Sequence, residues 1–146
     1  MTVQRILDIS EKALRIAHIA PDATVAQVLD SPEFQEVGAV VVSSDGRTIE
    51  GIISEHDIVL GLRRIGSDLS STPVRELMTA KVVTCAPHDR AAGIIALMVS
   101  RHIRHVPVVT EGKLVGMVSV HDVLNLRIKE VQAEAQAMQN YIQGNT

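Results

Sequence analysis

Aromatic side chains and positive charge are both scarce in this sequence. The 146 residues include no Trp, and Phe34 and Tyr141 are the only aromatic residues. Proteins that bind single-stranded nucleic acid stack the bases on aromatic side chains beside a basic groove. Because the net charge is −3 and aromatic side chains are nearly absent, we expect no nucleic-acid partner.

The sequence also has a single cysteine and no long apolar run. Because Cys85 is the single cysteine, the sequence cannot form an intramolecular disulfide. Such low cysteine usage is typical of a reducing compartment. It lies in the apolar run Val82–Ala86, which predicts a small core residue rather than a reactive thiol. No run approaches the roughly 20 residues that cross a bilayer, and no signal-peptide pattern opens the chain. We therefore expect a soluble, cytoplasmic protein without a membrane partner.

Catalytic and metal-binding signatures are missing as well. The six histidines belong to no zincin motif and there is no pair of cysteines, so no metal site is expected. Ser119, His121 and Asp122 have the residue types of a hydrolase triad. Triad members must converge in space, whereas neighbours in the first turn of a helix point apart. We predict no catalytic residue, no catalytic cofactor and no enzymatic activity.

A short motif occurs twice, sixty-five residues apart, at Gly51–Asp57 and Gly116–Asp122. Each copy reads as a buried strand that ends at a helix N-terminus, with Ser54 or Ser119 as the N-cap. A helix N-terminus presents free N–H groups that can seat a phosphate, and the final Asp could accept hydrogen bonds from a ribose. The alternative is that Ser-x-x-Asp only caps the helix.

The segments around the motif repeat in the same order. Val3–Leu7 resembles Val74–Met78, and Ile16–Pro21 resembles Val82–Pro87. Each half is predicted to form a helix or strand, a helix, a strand, a hairpin, a strand and a helix. Neither half is long enough for a core of its own, so the halves should pack about a pseudo-twofold axis.

Three local features refine this prediction. Ser31–Pro32 should interrupt the helix that begins near Thr24, because proline disfavours helical backbone in the residue before it. Gly38–Val42 is all apolar, which is typical of a strand covered on both faces. The helix after the first motif should bury one face that carries Ile58, Val59, Leu62 and Ile65.

With Val106-Pro-Val-Val109 before a Gly112 turn and the duplicated Gly-apolar-apolar-Ser-x-x-Asp motif, the chain resembles a CBS-domain pair, or Bateman module. It is similar to the stand-alone CBS-pair proteins of bacteria. The resemblance implies an α+β fold of two β-α-β-β-α repeats. We place repeat 1 at residues 1–68, repeat 2 at 69–129 and a helical extension at 130–146.

The resemblance also implies a non-catalytic regulatory module that binds adenosine-containing ligands in two clefts between the repeats. Asp122 would bind ribose and Ser119 would lie near the phosphate. The leading segment of each repeat, which precedes its first strand, would cross to the opposite repeat. The main cleft implied in this way contains Asp122, Ser119, His121, Arg104, His105, Val106, Pro107 and Ala17. The second cleft contains Asp57, Ser54, His56, Thr79 and Val83.

The two clefts differ in charge. Arg101–His105 places four basic or potentially basic groups at the main cleft, whereas the matching Gln35–Gly38 contains no cation. Arginine binds phosphate through strong, charge-assisted hydrogen bonds. AMP is therefore the expected ligand of the main cleft, and occupancy of the second is left open. The alternatives are NAD(H) or ATP, and a scaffold with vestigial clefts that serves an unidentified protein target. S-adenosylmethionine is disfavoured because its sulfonium is positive.

The C-terminal segment predicts a dimer. From Ser119 the chain can continue as helix to Gln143 without Gly or Pro. Apolar residues recur at steps of four and three, which is a heptad seam: Leu124, Ile128, Val131, Ala135, Met138 and Ile142. The stripe could cover its own domain, but from Lys129 onward it passes the usual boundary of the family. We therefore expect a homodimer in which this helix takes part.

Overall fold

The computed structural model describes residues 1–10 and 17–144 of the chain. The first repeat contributes two short strands and three helices before the strand and helix that carry its Gly51–Asp57 motif. In order these are α1 (Val3–Ile9), β1 (His18–Ile19), α2 (Val25–Leu29), α3 (Pro32–Val37), β2 (Ala39–Val42), β3 (Gly51–Ser54) and α4 (Glu55–Ile65). Two 3-10 helices, Gly66–Ser71 and Val74–Glu76, lead to α5 (Ala91–Arg101), β4 (His105–Thr110), β5 (Lys113–Ser119) and α6 (Val120–Gln143).

Each repeat has a small sheet built on an antiparallel hairpin. In the first, β1 pairs parallel to β2, and β2 pairs with β3 so that Ala39 lies opposite Ser54. In the second, β4 pairs with β5 and His105 lies opposite Ser119. Val82–Ala86, which the sequence matches to the segment that begins at Ile16, forms one parallel bridge, between Cys85 and Val108. The Ile16 end of its predicted counterpart lies outside the described residues.

Each repeat packs its leading segment into the hydrophobic core of the other repeat. Val3, Ile6 and Leu7 of α1 pack in the core of the second repeat, with α5, β4, β5 and α6. Val74, which leads the second repeat, packs in the core of the first with β2 and β3. Antiparallel bridges of Thr2 with Arg90 and of Thr24 with Pro73 fix the two exchanges. The repeats are therefore one folding unit with a two-part core.

Local turn chemistry sets the helix boundaries, as predicted. The helix α2 ends at Leu29, and α3 begins at Pro32 with the Ser31 side chain as its N-cap. Gly38 ends α3 in the left-handed region (φ 86°), where glycine has no Cβ to strain the backbone. This glycine turns the chain directly into β2.

Only half of the residues predicted to form the buried face of α4 pack against the core. Ile58 and Ile65 pack against the core of the first repeat, but Val59 and Leu62 are 64% and 58% exposed. Their spacing fits a helix face, yet the face points away from the sheet beneath α4. An apolar surface therefore remains uncovered on this helix.

The predicted stripe of α6 is also uncovered. The helix runs from Val120 to Gln143, and Val123 and Leu126 are the residues it buries in its own domain. The six residues of the stripe are all exposed: Leu124, Ile128, Val131, Ala135, Met138 and Ile142. The alternative that the stripe covers its own domain is therefore wrong. Within the described part of the chain, no helix combines the length and apolarity that a bilayer crossing requires.

Cys85 is a core residue, as predicted from its neighbours. It is 4% exposed, and burial together with the nearby Asp89 carboxylate raises the pKa of its thiol to about 12. Since the thiolate is the reactive species, we expect almost no reaction of the folded protein with a disulfide reagent at pH 8. The same reagent should titrate one thiol per chain in denaturant. Rapid labelling of the folded protein would contradict the buried placement.

Candidate functional site

A cavity of about 1130 Å³ lies between the repeats and is lined by residues of both signature motifs. Eleven of the thirteen residues that the sequence placed in the two clefts line it: Ala17, Ser54, His56, Asp57, Thr79, Val83, Arg104, His105, Ser119, His121 and Asp122. Val106 and Pro107 do not line it. Val106 is fully buried in the core of the second repeat, and the Pro107 carbonyl accepts a hydrogen bond from the Cys85 amide.

The start of α6 positions the Asp122 carboxylate. Ser119 Oγ accepts a hydrogen bond from the Asp122 amide (3.2 Å), and Asp122 Oδ2 accepts from the Ser119 amide and hydroxyl (both 2.9 Å). The predicted N-cap role of Ser119 is thus confirmed. The second oxygen, Oδ1, takes no part in the cap and accepts a hydrogen bond from Ser10 Oγ (2.9 Å). Capping therefore engages only one of the two carboxylate oxygens.

The start of α4 repeats this geometry. Asp57 Oδ2 accepts hydrogen bonds from the Ser54 amide and hydroxyl (both 2.9 Å). Asp57 Oδ1 accepts from Thr79 Oγ1 at 3.2 Å. Thr79 is itself held by a two-way backbone bridge to Ile52 of β3. The two carboxylates are therefore held by the same set of contacts, each completed by a hydroxyl from a leading segment.

The sequence analysis missed Ser10. Its separation of 69 positions from Thr79 lies between the 71 that separate Val3 from Val74 and the 66 that separate Ile16 from Val82. Aligning the leading segments at these offsets places the counterpart of Thr79 between positions 8 and 13, and Ser10 is the hydroxyl-bearing residue in that range. The repeat therefore marks Ser10 as a candidate, but its contact with Asp122 depends on how the segments cross.

The structure corrects the alignment of the two clefts by one residue. The Val120 amide donates to the Arg104 carbonyl (2.9 Å), and the Glu55 amide donates to the Gly38 carbonyl (3.1 Å). Together with the strand register, these bonds make Gly38 the counterpart of Arg104. The sequence comparison ended the two matching segments at Gly38 and His105, whereas the structure pairs Gly38 with Arg104 and Val41 with Pro107.

The charges of the main cleft differ from the prediction at two positions. Among the described residues, the Arg104 guanidinium has no hydrogen-bond partner, and His102 lines the cavity beside it. His105 Nε2 donates to the Val37 carbonyl at 2.8 Å, and burial lowers the pKa of this imidazole below its usual value. His105 is therefore neutral at pH 7 and joins the two repeats instead of offering a positive charge. Arg101 is exposed and lies outside the cavity lining.

Further charged residues line the cavity that the sequence analysis did not name. Lys81 adds a cation, and Glu33, Glu36 and Glu55 add carboxylates from the first repeat. In the described part of the chain, no group of three or more His, Cys, Asp or Glu side chains has the geometry of a metal site. The cavity thus combines two held carboxylates with an uneven distribution of charge.

A family comparison agrees with this architecture. The model of the CBS domain matches the chain twice, over residues 8–64 and 74–129. The chain belongs to the CBS-domain family. The second match ends at Lys129, so the last part of α6 lies beyond the CBS repeats.

Curated CBS-domain proteins are similar over most of this chain. The CBS domain-containing protein CBSX3, mitochondrial, of Arabidopsis thaliana is 35% identical over 84% of this chain and 62% of its own length. Arabinose 5-phosphate isomerase KdsD of Yersinia pestis is 32% identical over 82% of this chain. The chain spans only 36% of that isomerase, so the similarity does not extend to the whole enzyme.

Solved structures of bacterial CBS-domain proteins superpose on nearly the whole fold. ATU1752 of Agrobacterium tumefaciens has a TM-score of 0.80 at 28% identity, covering 87% of this chain and 99% of that one. A CBS-domain protein of Burkholderia ambifaria has a TM-score of 0.81 at 30% identity, with 88% and 95% coverage. The CBS-pair fold of this chain is therefore shown.

More distant CBS-fold structures contain nucleotide ligands. CBSX2 (22% identity, TM-score 0.68) and PAE2072 of Pyrobaculum aerophilum (23%, 0.71) were solved with AMP. The CBS pair of MJ0100 (19%, 0.74) was solved with 5′-methylthioadenosine and S-adenosyl-L-methionine. At these identities the comparison establishes the shared fold.

Proposed function

We propose that the protein is a non-catalytic sensor module that binds AMP at the Asp122 side of the cavity. The observation that carries the proposal is the start of α6, where a held carboxylate and the Arg104 side chain line one cavity. The Asp122 carboxylate would accept hydrogen bonds from the ribose hydroxyls. Arg104 and the N–H groups of the helix start would bind the phosphate.

The CBS-fold structures with AMP support the choice of an adenine nucleotide. NAD(H) or ATP is the second candidate. The size of the cavity favours either ligand, and the two carboxylates that line it suit the two riboses of NAD(H). Mass spectrometry of small molecules released from the purified protein, followed by calorimetry with AMP, ATP, NADH and S-adenosylmethionine, tests the ligand. A protein that binds none of these would instead be a scaffold with vestigial clefts.

We further propose that the protein is a cytoplasmic homodimer that transmits nucleotide binding to a target protein. The single buried cysteine suits a reducing compartment. Large apolar residues are exposed on α4 and along the α6 stripe, and exposed apolar patches mark protein–protein interaction sites. A twofold pair of chains would bury both surfaces.

Replacing Arg104 with alanine distinguishes binding of the phosphate from binding of the nucleoside. We expect the Arg104→Ala variant to lose about tenfold or more in AMP affinity, because a charge-assisted hydrogen bond is lost. Adenosine affinity at the Asp122 side should change by no more than about twofold to threefold, since Arg104 is proposed to meet only the phosphate. Calorimetry with both ligands measures the difference, and equal weakening of the two would make Arg104 a structural residue.

A further inference from the structure

The two sides of the cavity differ in charge at one pair of hydrogen-bonded positions. In the second repeat, the residue before β4 is Arg104 and the first residue of α6 is Val120, joined by a backbone hydrogen bond of 2.9 Å. In the first repeat the same bond joins Gly38 to Glu55 at 3.1 Å. A guanidinium beside an apolar residue is thus replaced by a glycine beside a carboxylate.

The Glu55 side chain packs over the glycine that replaces the arginine. A Cβ placed on Gly38 would lie 3.1 Å from Glu55 Oε1. The carboxylate therefore lies where the side chain of an arginine at this position would begin. The left-handed backbone of Gly38 further disfavours any larger residue there.

Glu55 lines the cavity together with Arg104, His105 and Asp122. The charges of Glu55, Asp122 and Arg104 all act on the buried His105, which bridges the repeats through the Val37 carbonyl. Glu55 is the first residue of α4, whose N-terminal N–H groups would otherwise attract an anion. An anion of the protein itself is thus present at the end of the helix that would bind a phosphate.

The ribose-binding part of the same side is nevertheless complete. Asp57 is held by Ser54 and Thr79 as Asp122 is held by Ser119 and Ser10. Resting on the proposed function above, we propose that Glu55 reserves the Asp57 side for a nucleoside that carries no phosphate. The cavity would then accept one nucleotide at the Asp122 side and one phosphate-free nucleoside at the Asp57 side.

Calorimetric stoichiometry tests this specificity. We expect the wild-type protein to bind one AMP but two adenosines per chain. The Glu55→Gln variant keeps the size of the side chain and removes its charge. It should gain a second AMP site. The dissociation constant of this site should be at least about tenfold lower than that of any second AMP bound by the wild type. Adding Asp57→Ala to Glu55→Gln should abolish that second site and leave the first.

Glu76→Gln is the matched control, because it changes the net charge equally and Glu76 lies outside the cavity lining. Its AMP stoichiometry should stay at one per chain. Two AMP molecules or a single adenosine bound to the wild type would overturn the assignment of Glu55, as would unchanged stoichiometry in Glu55→Gln. These outcomes leave AMP binding at Asp122 intact. A protein that binds neither AMP nor adenosine would overturn both proposals.

Discussion

Replacing Asp122 with alanine is expected to remove most of the affinity for AMP and to leave the fold intact. Each hydrogen bond from a ribose hydroxyl to the carboxylate contributes about 1.5–3 kcal/mol. Loss of one such bond lowers the affinity by about tenfold to a hundredfold, and loss of both lowers it by the product of the two factors. Calorimetry with AMP measures the change. Unchanged binding would contradict the assignment of Asp122 as the ribose-binding residue.

The repeat supplies a matched control in Asp57→Ala. Both carboxylates accept hydrogen bonds from their N-cap serine in the same geometry, so each variant should lose about 1 kcal/mol of stability. In a chain of this length the unfolding midpoint then falls by about 2–4 °C in either variant. Only Asp122→Ala should weaken AMP. Equal weakening by Asp57→Ala would indicate a ligand that engages both sides, such as a dinucleotide.

The full-length protein is expected to be a dimer at micromolar concentration, and truncation after Lys129 is expected to weaken it. The truncation removes Val131, Met138 and Ile142, which are 47%, 68% and 69% exposed in the single chain. Burying a large aliphatic side chain contributes about 1.5–3 kcal/mol, part of which offsets the cost of association. The dissociation constant should therefore rise by about a hundredfold or more. Nucleotide binding at Asp122 should persist.

Light scattering and sedimentation measure both expectations. A charged residue placed in the stripe, Val131→Lys, should act like the truncation. Ala133→Lys is the control, because Ala133 lies on the opposite side of α6, in line with the buried Leu126. A monomeric full-length protein would refute the dimer. A truncated protein that dimerises as tightly as the full chain would assign the contact to α4 and the first half of α6 alone.

The features that could be predicted from the sequence are those that depend on neighbours along the chain. Both N-caps, the break at Ser31–Pro32 and the length of α6 follow from residues within one or two turns of each other. The duplicated motif also indicated the fold, because two copies in one order require two similar units. Local chemistry and repetition were therefore sufficient for the helix boundaries and the two-repeat organisation, whereas the α+β fold was implied by the resemblance to a CBS-domain pair.

The features that could not be predicted depend on contacts between distant segments. The hydrogen bond from Ser10 to Asp122 spans 112 positions, and the equivalence of Gly38 with Arg104 depends on strand register. The neutral state of His105 follows from burial by the opposite repeat. The exposure of Val59 and Leu62 depends on which face of α4 meets the sheet, which apolar spacing alone cannot decide.

The exchange of leading segments has a consequence for fragments of this chain. A break within Gly66–Ser71 would separate Val3, Ile6 and Leu7 from the core they complete, and would separate Val74 from the core of the first repeat. Neither fragment could then exclude water from its own interior. Each fragment nevertheless carries the piece that the other lacks, so the two should reassemble by complementation when mixed. An isolated repeat could complete its core only by trading its first segment with a second copy of itself, so a single-repeat ancestor of this fold would have been an obligate, segment-swapped dimer.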